Sequence, residues 1–262
     1  MNIVIPMAGA GKRFTDAGYR QSKPLIPTTS WRLGRQVPMV VAAALDLPGV
    51  SDANLYFIDR IEHKELGIQQ EINRFLPRAS FTTIDYLTEG QASTCLLTKD
   101  KINSDTELLI AGCDNGMILN LADFEAKKKN SDALIFTFRR DPLLLENPKS
   151  YGWVQVSETD RVERVSVKTP ISKNPFEDHA VVATFWFRRG MDFVRAAEKM
   201  ISENDRVNGE FYVDQVMNHA LDLSLEVRVF EIDKYLGWGT PQAYEQFEAT
   251  FRYWKGFFEE ER

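Results

Sequence analysis

A glycine-rich loop followed by two cations lies near the start of the chain. The segment MAGAGKRF, residues 7–14, directly follows the apolar run NIVIP, which is typical of a buried strand. Gly9 and Gly11 allow the backbone to approach a ligand closely, and Lys12 and Arg13 come next in the chain. Backbone N–H groups beside positive charges favour phosphate binding. A solvated surface loop is the alternative that these residues leave open.

Neither of the two common phosphate-binding loops matches this segment. The dinucleotide motif G-x-G-x-x-G requires a third glycine, where the chain has Phe14. The P-loop motif G-x-x-x-x-G-K-[ST] requires a glycine at Pro6 and a hydroxyl at Arg13. Ten residues beyond Arg13, Lys23 precedes Pro24, and the residue before a proline is biased towards extended backbone. We therefore expect Lys23 to be a third cation in a fixed position.

A carboxylate follows a second apolar run. Asp114 comes directly after LLIAGC, which is typical of a strand. At the carboxyl end of a parallel strand, a side chain faces the crevice in which open α/β sheets bind ligands. Carboxylate oxygens are ligands that Mg²⁺ prefers. We expect Asp114 to bind Mg²⁺, and the alternative is that Asp114-Asn115-Gly116 only marks a turn.

The elements that must position these residues alternate between strand-like and helical runs as far as residue 115. This order predicts a parallel sheet with helices on both faces. Four strand-like runs with few helices between them then predict an antiparallel excursion: DALIFTF, GWVQVS, RVERVSVK and AVVATFWFRRG. Two helices, a strand and a last helix capped by Thr240 complete the chain. We expect one continuous α/β domain over residues 1–262.

Composition limits the classes of protein to consider. The net charge of −6 argues against a broad nucleic-acid surface. The chain has no run of 18 apolar residues and no charged segment ahead of its first apolar run, so we expect no membrane segment and a cytoplasmic location. Cys95 and Cys113 have no metal-ligand spacing, which predicts buried free thiols.

The pattern G-x-G-x-R-[FM] with a later K-P resembles the signature of the nucleotidylyltransferases that make activated sugars. Later segments resemble blocks of that family in the same order: TEGQAST, ELLIAGCDNG, YGWVQV, NGEFYVDQVMNHAL and LGWGTPQAYEQF. The resemblance implies a Rossmann-like, mainly parallel mixed sheet and transfer of a nucleoside monophosphate from an NTP to a sugar 1-phosphate, with release of pyrophosphate. The GTP-x-x-[YL] ending is similar to a branch that includes capsule-biosynthesis enzymes, which implies polysaccharide biosynthesis, and cytidylyltransferases acting on phosphocholine-like metabolites.

The resemblance also implies a role for each candidate residue. Residues 1–115 would form the NTP-binding half and residues 116–262 the acceptor-binding half. Arg13 would neutralise the leaving β- and γ-phosphates, and Lys23 would neutralise the α-phosphate. Asp114 would bind the cofactor Mg²⁺. The nucleotide-binding positions would be Ala8, Gly9, Ala10, Gly11, Lys12, Gly90 and Gln91. The acceptor-binding positions would be Tyr151, Gly152, Lys168 and Glu210.

Two departures from the family pattern leave alternatives open. Val167 stands where the family has a glutamate before Lys168, which leaves the acceptor undetermined. Gly237 stands where the family has a second metal-binding aspartate, so we expect the second ligand to be Asp233, at the end of LEVRVFEID. Asp214, or a site with one carboxylate, is the alternative. The competing functions are cytidylyl transfer to a non-sugar phosphate and a nucleotide-binding regulator without activity.

An aromatic stripe follows one face of the last helix at spacings of three and four residues. Its members are Tyr244, Phe247, Phe251, Trp254 and Phe258. A stripe of this kind is typical of a helix that packs on its own domain. A homodimer contact is the alternative, because an undocked aromatic stripe would leave an exposed apolar patch.

Overall fold

The chain folds around a nine-stranded mixed sheet, seen in a computed structural model that describes residues 1–260 and the side chains of residues 1–257. The strands in chain order are β1 (Asn2–Pro6), β2 (Pro27–Ser30), β3 (Arg35–Pro38), β4 (Asn54–Arg60), β5 (Ala79–Ile84), β6 (Leu108–Ala111), β7 (Asn115–Ile118), β8 (Ala133–Phe138), β9 (Gly152–Val156), β10 (Val162–Val167), β11 (His179–Phe187), β12 (Val227–Glu231) and β13 (Lys234–Gly237).

Helices of four to twenty residues connect these strands. They are α1 (Lys12–Asp16), α2 (Met39–Leu45), α3 (Ile61–Glu65), α4 (Ile68–Phe75), α5 (Gln91–Leu96), α6 (Lys99–Ile102), α7 (Leu121–Lys128), α8 (Leu143–Glu146), α9 (Gly190–Ser202), α10 (Val213–Asp222) and α11 (Pro241–Glu260). No helix among residues 1–260 is long and apolar enough to cross a membrane.

The large sheet has a parallel half and a mixed half. Strands β5, β4, β1 and β6 pair in parallel, in that order. The long strand β11 then pairs antiparallel with β6, and it carries β8 and β12 on one branch and β9 and β10 on the other. All strands of this sheet except β10 and β11 run in the same direction. The structure confirms the predicted α/β class and its antiparallel excursion.

Both faces of the sheet bury apolar side chains under helices. On β1, Ile3 and Ile5 belong to the core that α2, α4 and α7 cover. Val4, between them, belongs to the opposite core under α5, α9 and α10. Burial on both faces explains why β1 is a continuous apolar run rather than an alternating one. This arrangement confirms the predicted helices on both faces.

Several local expectations were wrong. The helical pattern of HKELGIQQEINRFL is divided into two helices, α3 and α4, because Gly67 adopts a left-handed conformation between them, with φ 80°. Lys23 opens a 3₁₀ turn, Lys23–Leu25, instead of lying in extended backbone. The hairpin β2–β3 and the ladder β7–β13 were not predicted. Cys95 is a buried free thiol as expected, whereas Cys113 is partly exposed.

Helix α11 fixes the segment that follows Lys23. Thr240 accepts a hydrogen bond from the Ala243 N–H at 3.2 Å, which confirms its predicted role as a cap. The Glu248 carboxylate is only 8% exposed and accepts hydrogen bonds from the Thr29 N–H at 2.6 Å and the Thr29 hydroxyl at 2.7 Å. The Tyr244 hydroxyl donates to the Pro27 carbonyl at 2.5 Å. The hairpin β2–β3 therefore depends on α11 for its position.

The aromatic stripe of α11 packs on the domain at its beginning. Tyr244 contacts Phe14 and Tyr19 edge to face, and Phe247 contacts Trp238 in the same way. The side chain of Phe258 lies outside the described residues. Packing is thus confirmed for the first turns of the helix, and the homodimer contact stays a prediction.

Replacement of Glu248 by alanine should weaken the fold. The change leaves the N–H and hydroxyl of Thr29 without their partner in a buried position, so the free energy of unfolding should fall by about 2–4 kcal/mol. Urea denaturation measures this loss. The exposed Gln246 on the same helix is the control, and Gln246→Ala should change stability by less than about 0.5 kcal/mol. Equal effects of the two substitutions would contradict the anchoring of β2 on α11.

Candidate functional site

Two cavities lie beside the carboxyl ends of the parallel strands, and Gln91 lines both. The larger, of about 310 Å³, is lined by Pro6, Ala8, Gly9, Ala10, Leu87, Thr88, Gly90, Gln91, Thr94 and Glu210. The smaller, of about 210 Å³, is lined mainly by polar and aromatic residues, among them Arg13, Asp114, Tyr151, Gly152, Lys168, Tyr212, Asp214 and Tyr235. The structure thus brings most of the predicted site residues to one edge of the sheet, where open α/β sheets bind ligands.

The glycine-rich loop crosses from the larger cavity into helix α1. Ala8, Gly9 and Ala10 line that cavity, whereas Gly11 and Lys12 do not. Gly11 caps α1 with φ 61°, a left-handed conformation that favours glycine. A Cβ atom at Gly11 would lie 3.4 Å from the Lys23 Cβ. The loop and Lys23 are therefore packed together, although they are separated in sequence.

The Lys23 ammonium joins three distant parts of the chain. Its Nζ donates to the Asp114 carboxylate at 2.5 Å and to the Gly239 carbonyl at 3.2 Å, and it lies 5.2 Å from the centre of the Phe14 ring. The side chain of Lys23 is 15% exposed and that of Asp114 is 32% exposed. A lysine held in this way presents its charge at the border of the smaller cavity.

The charges around Asp114 keep it ionised. Burial opposes ionisation, but the Lys23 charge and hydrogen bond, with more distant contributions from Arg13 and Lys168, lower the pKa of the Asp114 carboxyl below its usual value. Asp114 is therefore a carboxylate at neutral pH. A group with a lowered pKa adds stability above its unfolded pKa, and this contribution disappears as the pH falls through the folded value.

Gly90 is required by a close approach of two backbone segments. It has φ 130°, and a Cβ atom there would lie 2.5 Å from the Phe211 nitrogen. The Phe211 N–H donates to the Glu89 carbonyl at 2.8 Å, and the Ala92 N–H donates to the Phe211 carbonyl at 2.9 Å. Gly90 also lines the larger cavity, so the structure adds a packing reason to the predicted role in nucleotide binding.

Tyr151, Gly152 and Lys168 meet in the smaller cavity, as the sequence predicts. Lys168 adopts φ 60°, its N–H donates to the Tyr151 carbonyl at 3.1 Å, and its ammonium donates to the Ser150 carbonyl. Burial lowers the pKa of Lys168. The negative charge of Asp214 opposes this shift, and the positive charge of Arg13 adds to it. Glu210 is exposed and lines the larger cavity, and its role in acceptor binding stays a prediction.

The expectation that Asp233 is the second metal ligand beside Asp114 was wrong. Asp233 is exposed in the turn between β12 and β13, and its N–H donates to the Ile118 carbonyl at 2.9 Å. Because β13 pairs antiparallel with β7, it is Gly237 that lies beside Asn115, next to Asp114. Four residues of strand, roughly 13 Å, separate the two ends of this ladder. Asp233 lines neither cavity.

Sequence reasoning missed the position of Asp214, which it weighed only as an alternative metal ligand. Asp214 lies in the first turn of α10, is 7% exposed and lines the smaller cavity. A Cβ atom at Gly152 would lie 2.1 Å from the Asp214 Oδ2, so the carboxylate packs directly on the Gly152 backbone. Burial raises the pKa of Asp214, and the Lys168 charge opposes the shift.

The residues present fit a Mg²⁺ ion that arrives with a phosphate ligand. Among the described side chains, those of residues 1–257, no group of three or more His, Cys, Asp or Glu could hold a metal ion alone. Asp114 offers one ionised carboxylate in the smaller cavity. Mg²⁺ commonly takes one or two protein carboxylates and completes its ligand set with phosphate oxygens and water.

Comparison with known proteins relates the fold to nucleotidyltransferases. No protein-family model matches the sequence, and no curated protein matches it. The nucleoside-diphosphate-sugar pyrophosphorylase from Vibrio cholerae RC9 superposes with a TM-score of 0.74 at 18% identity, over 94% of this chain and 98% of that chain. The inositol-1-phosphate CTP transferase from T. maritima superposes with a TM-score of 0.69 at 14% identity, over 94% of this chain and 93% of that chain. The chain therefore has the Rossmann-like fold of these nucleotidyltransferases.

A side chain at position 237 should disturb the aromatic wall of the smaller cavity. A Cβ atom there would lie 2.8 Å from the Tyr235 ring, which stacks on Phe138 at 4.1 Å between ring centres. Gly237→Ala should lower the free energy of unfolding by about 1–3 kcal/mol, because the ring must move. In the control Gly239→Ala, the new Cβ makes an ordinary contact at 3.5 Å. Urea denaturation of both variants checks this, and equal stability of the two would contradict it.

Proposed function

We propose that the chain is a nucleotidylyltransferase that transfers a nucleoside monophosphate from an NTP to a sugar 1-phosphate, releasing pyrophosphate and forming an NDP-sugar. The observation that carries this proposal is the junction of the two cavities. A glycine-rich loop lines one cavity, Lys168, Arg13 and Asp114 line the other, and Gln91 lines both. Lys23 is held beside the smaller cavity by Asp114. The fold shared with nucleotidyltransferases supports the proposal.

Transfer of this kind requires alignment and neutralised charge more than covalent assistance. The nucleoside of the NTP would lie in the larger cavity, and its phosphates would extend towards Lys23 and Arg13 at the smaller cavity. The acceptor phosphate would lie in the smaller cavity beside Lys168. An oxygen of the acceptor phosphate forms a bond to the α-phosphorus. The bond from the α-phosphorus to the bridging oxygen breaks, and pyrophosphate leaves with that electron pair.

The proposed reaction needs no general base. The acceptor phosphate is anionic at neutral pH, so no proton has to be removed from the nucleophile. His63, His179 and His219 are all buried, and none of them lines either cavity. Arg13 and Lys168, which do line the smaller cavity, offer positive charge. Enzymes commonly gain more of their rate from charge stabilisation of this type than from any other single effect.

Lys23 is suited to the α-phosphate because it is already held in place. Its hydrogen bonds to Asp114 and the Gly239 carbonyl fix the ammonium before a ligand arrives. Little reorganisation is then needed as charge develops on the α-phosphate oxygens. Arg13, exposed on α1 and lining the smaller cavity, is free to neutralise the β- and γ-phosphates.

Asp114 would hold Mg²⁺ in this proposal. When bound, Mg²⁺ neutralises phosphate charge and helps to orient the reacting groups. Asp114 also holds the Lys23 ammonium, so one carboxylate orients two positive charges around the same phosphate. Asp233 takes no part, because it lies at the far end of the β7–β13 ladder.

A second candidate keeps this chemistry and changes the acceptor. Cytidylyl transfer to a non-sugar phosphate is favoured by Val167, which is apolar and 7% exposed where the resembling sugar enzymes have a glutamate. The two candidates share the residues around the phosphates and differ only on the acceptor side. A panel of four NTPs with sugar 1-phosphates and phosphocholine, assayed for pyrophosphate release, distinguishes them. Release with no pair would favour the nucleotide-binding regulator.

Arg13→Ala and Lys23→Ala should each lower kcat/KM by about 100-fold or more with the pair of substrates that this panel selects. Each change removes a positive charge from the phosphates in the transition state. Lys99→Ala, on the exposed surface of α6, is the control and should keep the native rate. Near-native pyrophosphate release by either site variant would exclude that residue from the reaction.

Asp114→Asn should be nearly inactive and should need more Mg²⁺ for half-maximal nucleotide binding. The substitution removes the carboxylate charge that attracts the ion and holds Lys23. Calorimetric titration of the NTP at several Mg²⁺ concentrations measures the shift. Asp233→Asn is the matched control and should behave as the unmodified protein. The proposed ligand would be wrong if both variants responded alike.

A further inference from the structure

A buried carboxylate in the smaller cavity has no role in the phosphate chemistry described above. Asp214 is 7% exposed, lines the cavity wall and rests on the Gly152 backbone. Glycine is the only residue type at position 152 that leaves room for the Asp214 carboxylate, since a Cβ atom there would overlap its oxygen at 2.1 Å. The fold therefore makes space for this charge at a position that borders the acceptor.

Asp214 lacks a side-chain partner among residues 1–257. No ion pair within 4.0 Å and no side-chain hydrogen bond joins its carboxylate to another described side chain. The Lys168 charge acts on this carboxylate, but the ammonium donates to the Ser150 carbonyl and lies 5.7 Å from the centre of the Tyr212 ring. Buried carboxylates are ordinarily paired or hydrogen-bonded, because water no longer solvates them. The Asp214 backbone N–H contributes a hydrogen bond, and a donor from a bound molecule would add one from the cavity side.

The surroundings of Asp214 indicate which donor fits. Lys168 already supplies positive charge to the cavity, which suits the phosphate of the acceptor. A quaternary ammonium group has no hydrogen to donate, so it would leave the Asp214 oxygens without a hydrogen bond from the ligand. A hydroxyl group is neutral and donates one. Tyr151, Tyr212 and Tyr235 complete the wall with rings that pack against the carbon skeleton of a small ring or chain.

We propose that Asp214 is a specificity-determining residue that accepts hydrogen bonds from hydroxyl groups of the acceptor. The acceptor class is then a sugar or polyol monophosphate rather than a phosphocholine-like zwitterion. This inference rests on the proposed function, since it concerns the acceptor of that reaction. It assigns to Asp214 a contact with substrate and leaves Mg²⁺ to Asp114.

Asp214→Asn removes the charge with little change of shape, and Asp222→Asn is the matched control. Asp222 is exposed at the other end of α10, so its replacement removes the same charge far from the first turn. With glucose 1-phosphate or inositol 1-phosphate at saturating NTP, Asp214→Asn should raise the acceptor KM about tenfold or more, as expected for loss of a hydrogen bond to a charged group. The KM for the NTP and the Mg²⁺ requirement should stay unchanged. Asp222→Asn should change none of these.

Three results would overturn the inference. The first is a higher Mg²⁺ requirement of Asp214→Asn at an unchanged acceptor KM, which would make Asp214 a metal ligand. The second is a lower thermal stability with the acceptor KM unaltered, which would limit Asp214 to stabilising α10. The third is a preference of the unmodified protein for phosphocholine over both hydroxylated acceptors. Asp214→Ser, measured beside Asp214→Asn, provides a second variant if the amide disturbs folding.

Calorimetry separates this inference from the proposed function. If the unmodified protein releases no pyrophosphate with any pair, the proposed function fails. Binding of glucose 1-phosphate or inositol 1-phosphate in the presence of NTP then still tests Asp214. Weaker binding by Asp214→Asn and native binding by Asp222→Asn would support the inference, and equal binding by all three proteins would overturn it.

Discussion

The ion pair between Lys23 and Asp114 is the interaction on which the site depends. It joins the turn after the glycine-rich loop to the carboxyl end of β6, and the Gly239 carbonyl adds the start of the last helix. A partly buried pair of this kind gains little net stability, because both charges lose water. The main effect of the ion pair is to fix the position of the Lys23 ammonium. The pair keeps one cation beside the smaller cavity in a protein whose net charge is −6, so that a phosphate there would meet a local positive field.

The order of strands, loops and helices could be predicted because long runs carry strong patterns. The apolar run before the glycine-rich loop, the strand that ends near Asp114 and the helix capped by Thr240 all have clear local signals. The ladder β7–β13 did not, because its strands NGMI and KYLG contain glycine and polar residues, whereas the equally short β6 is the continuous apolar run LLIA. Four residues of mixed type show neither an apolar run nor an alternating pattern. The position of Asp233 depended on that ladder, so the second metal ligand could not be placed from the sequence.

Glycines show a related limit of sequence reasoning. Gly90 and Gly152 both lie in the site, and the sequence suggests that a ligand approaches their backbone. In the structure the Phe211 backbone approaches Gly90, and the Asp214 carboxylate approaches Gly152. A glycine indicates that something comes close, but contacts made more than sixty residues away decide what it is. Asp214 was missed for the same reason, since nothing in its own segment shows that it faces a cavity.

The two departures from the family pattern concern different parts of the proposed reaction. Gly9, Gly11, Arg13, Lys23 and Asp114, which would serve the nucleotide and its phosphates, are all present. Gly237 departs at the position of a metal ligand and leaves Mg²⁺ to Asp114, whereas Val167 departs beside Lys168, on the acceptor side. The phosphate chemistry is the same for every acceptor, so its residues are constrained by charge and distance. The acceptor wall has only to match one small molecule, and it can change without altering the reaction. In the proposed function, Val167 is therefore the departure that would set the product, and Gly237 is the one that the phosphates and Asp114 would have to compensate.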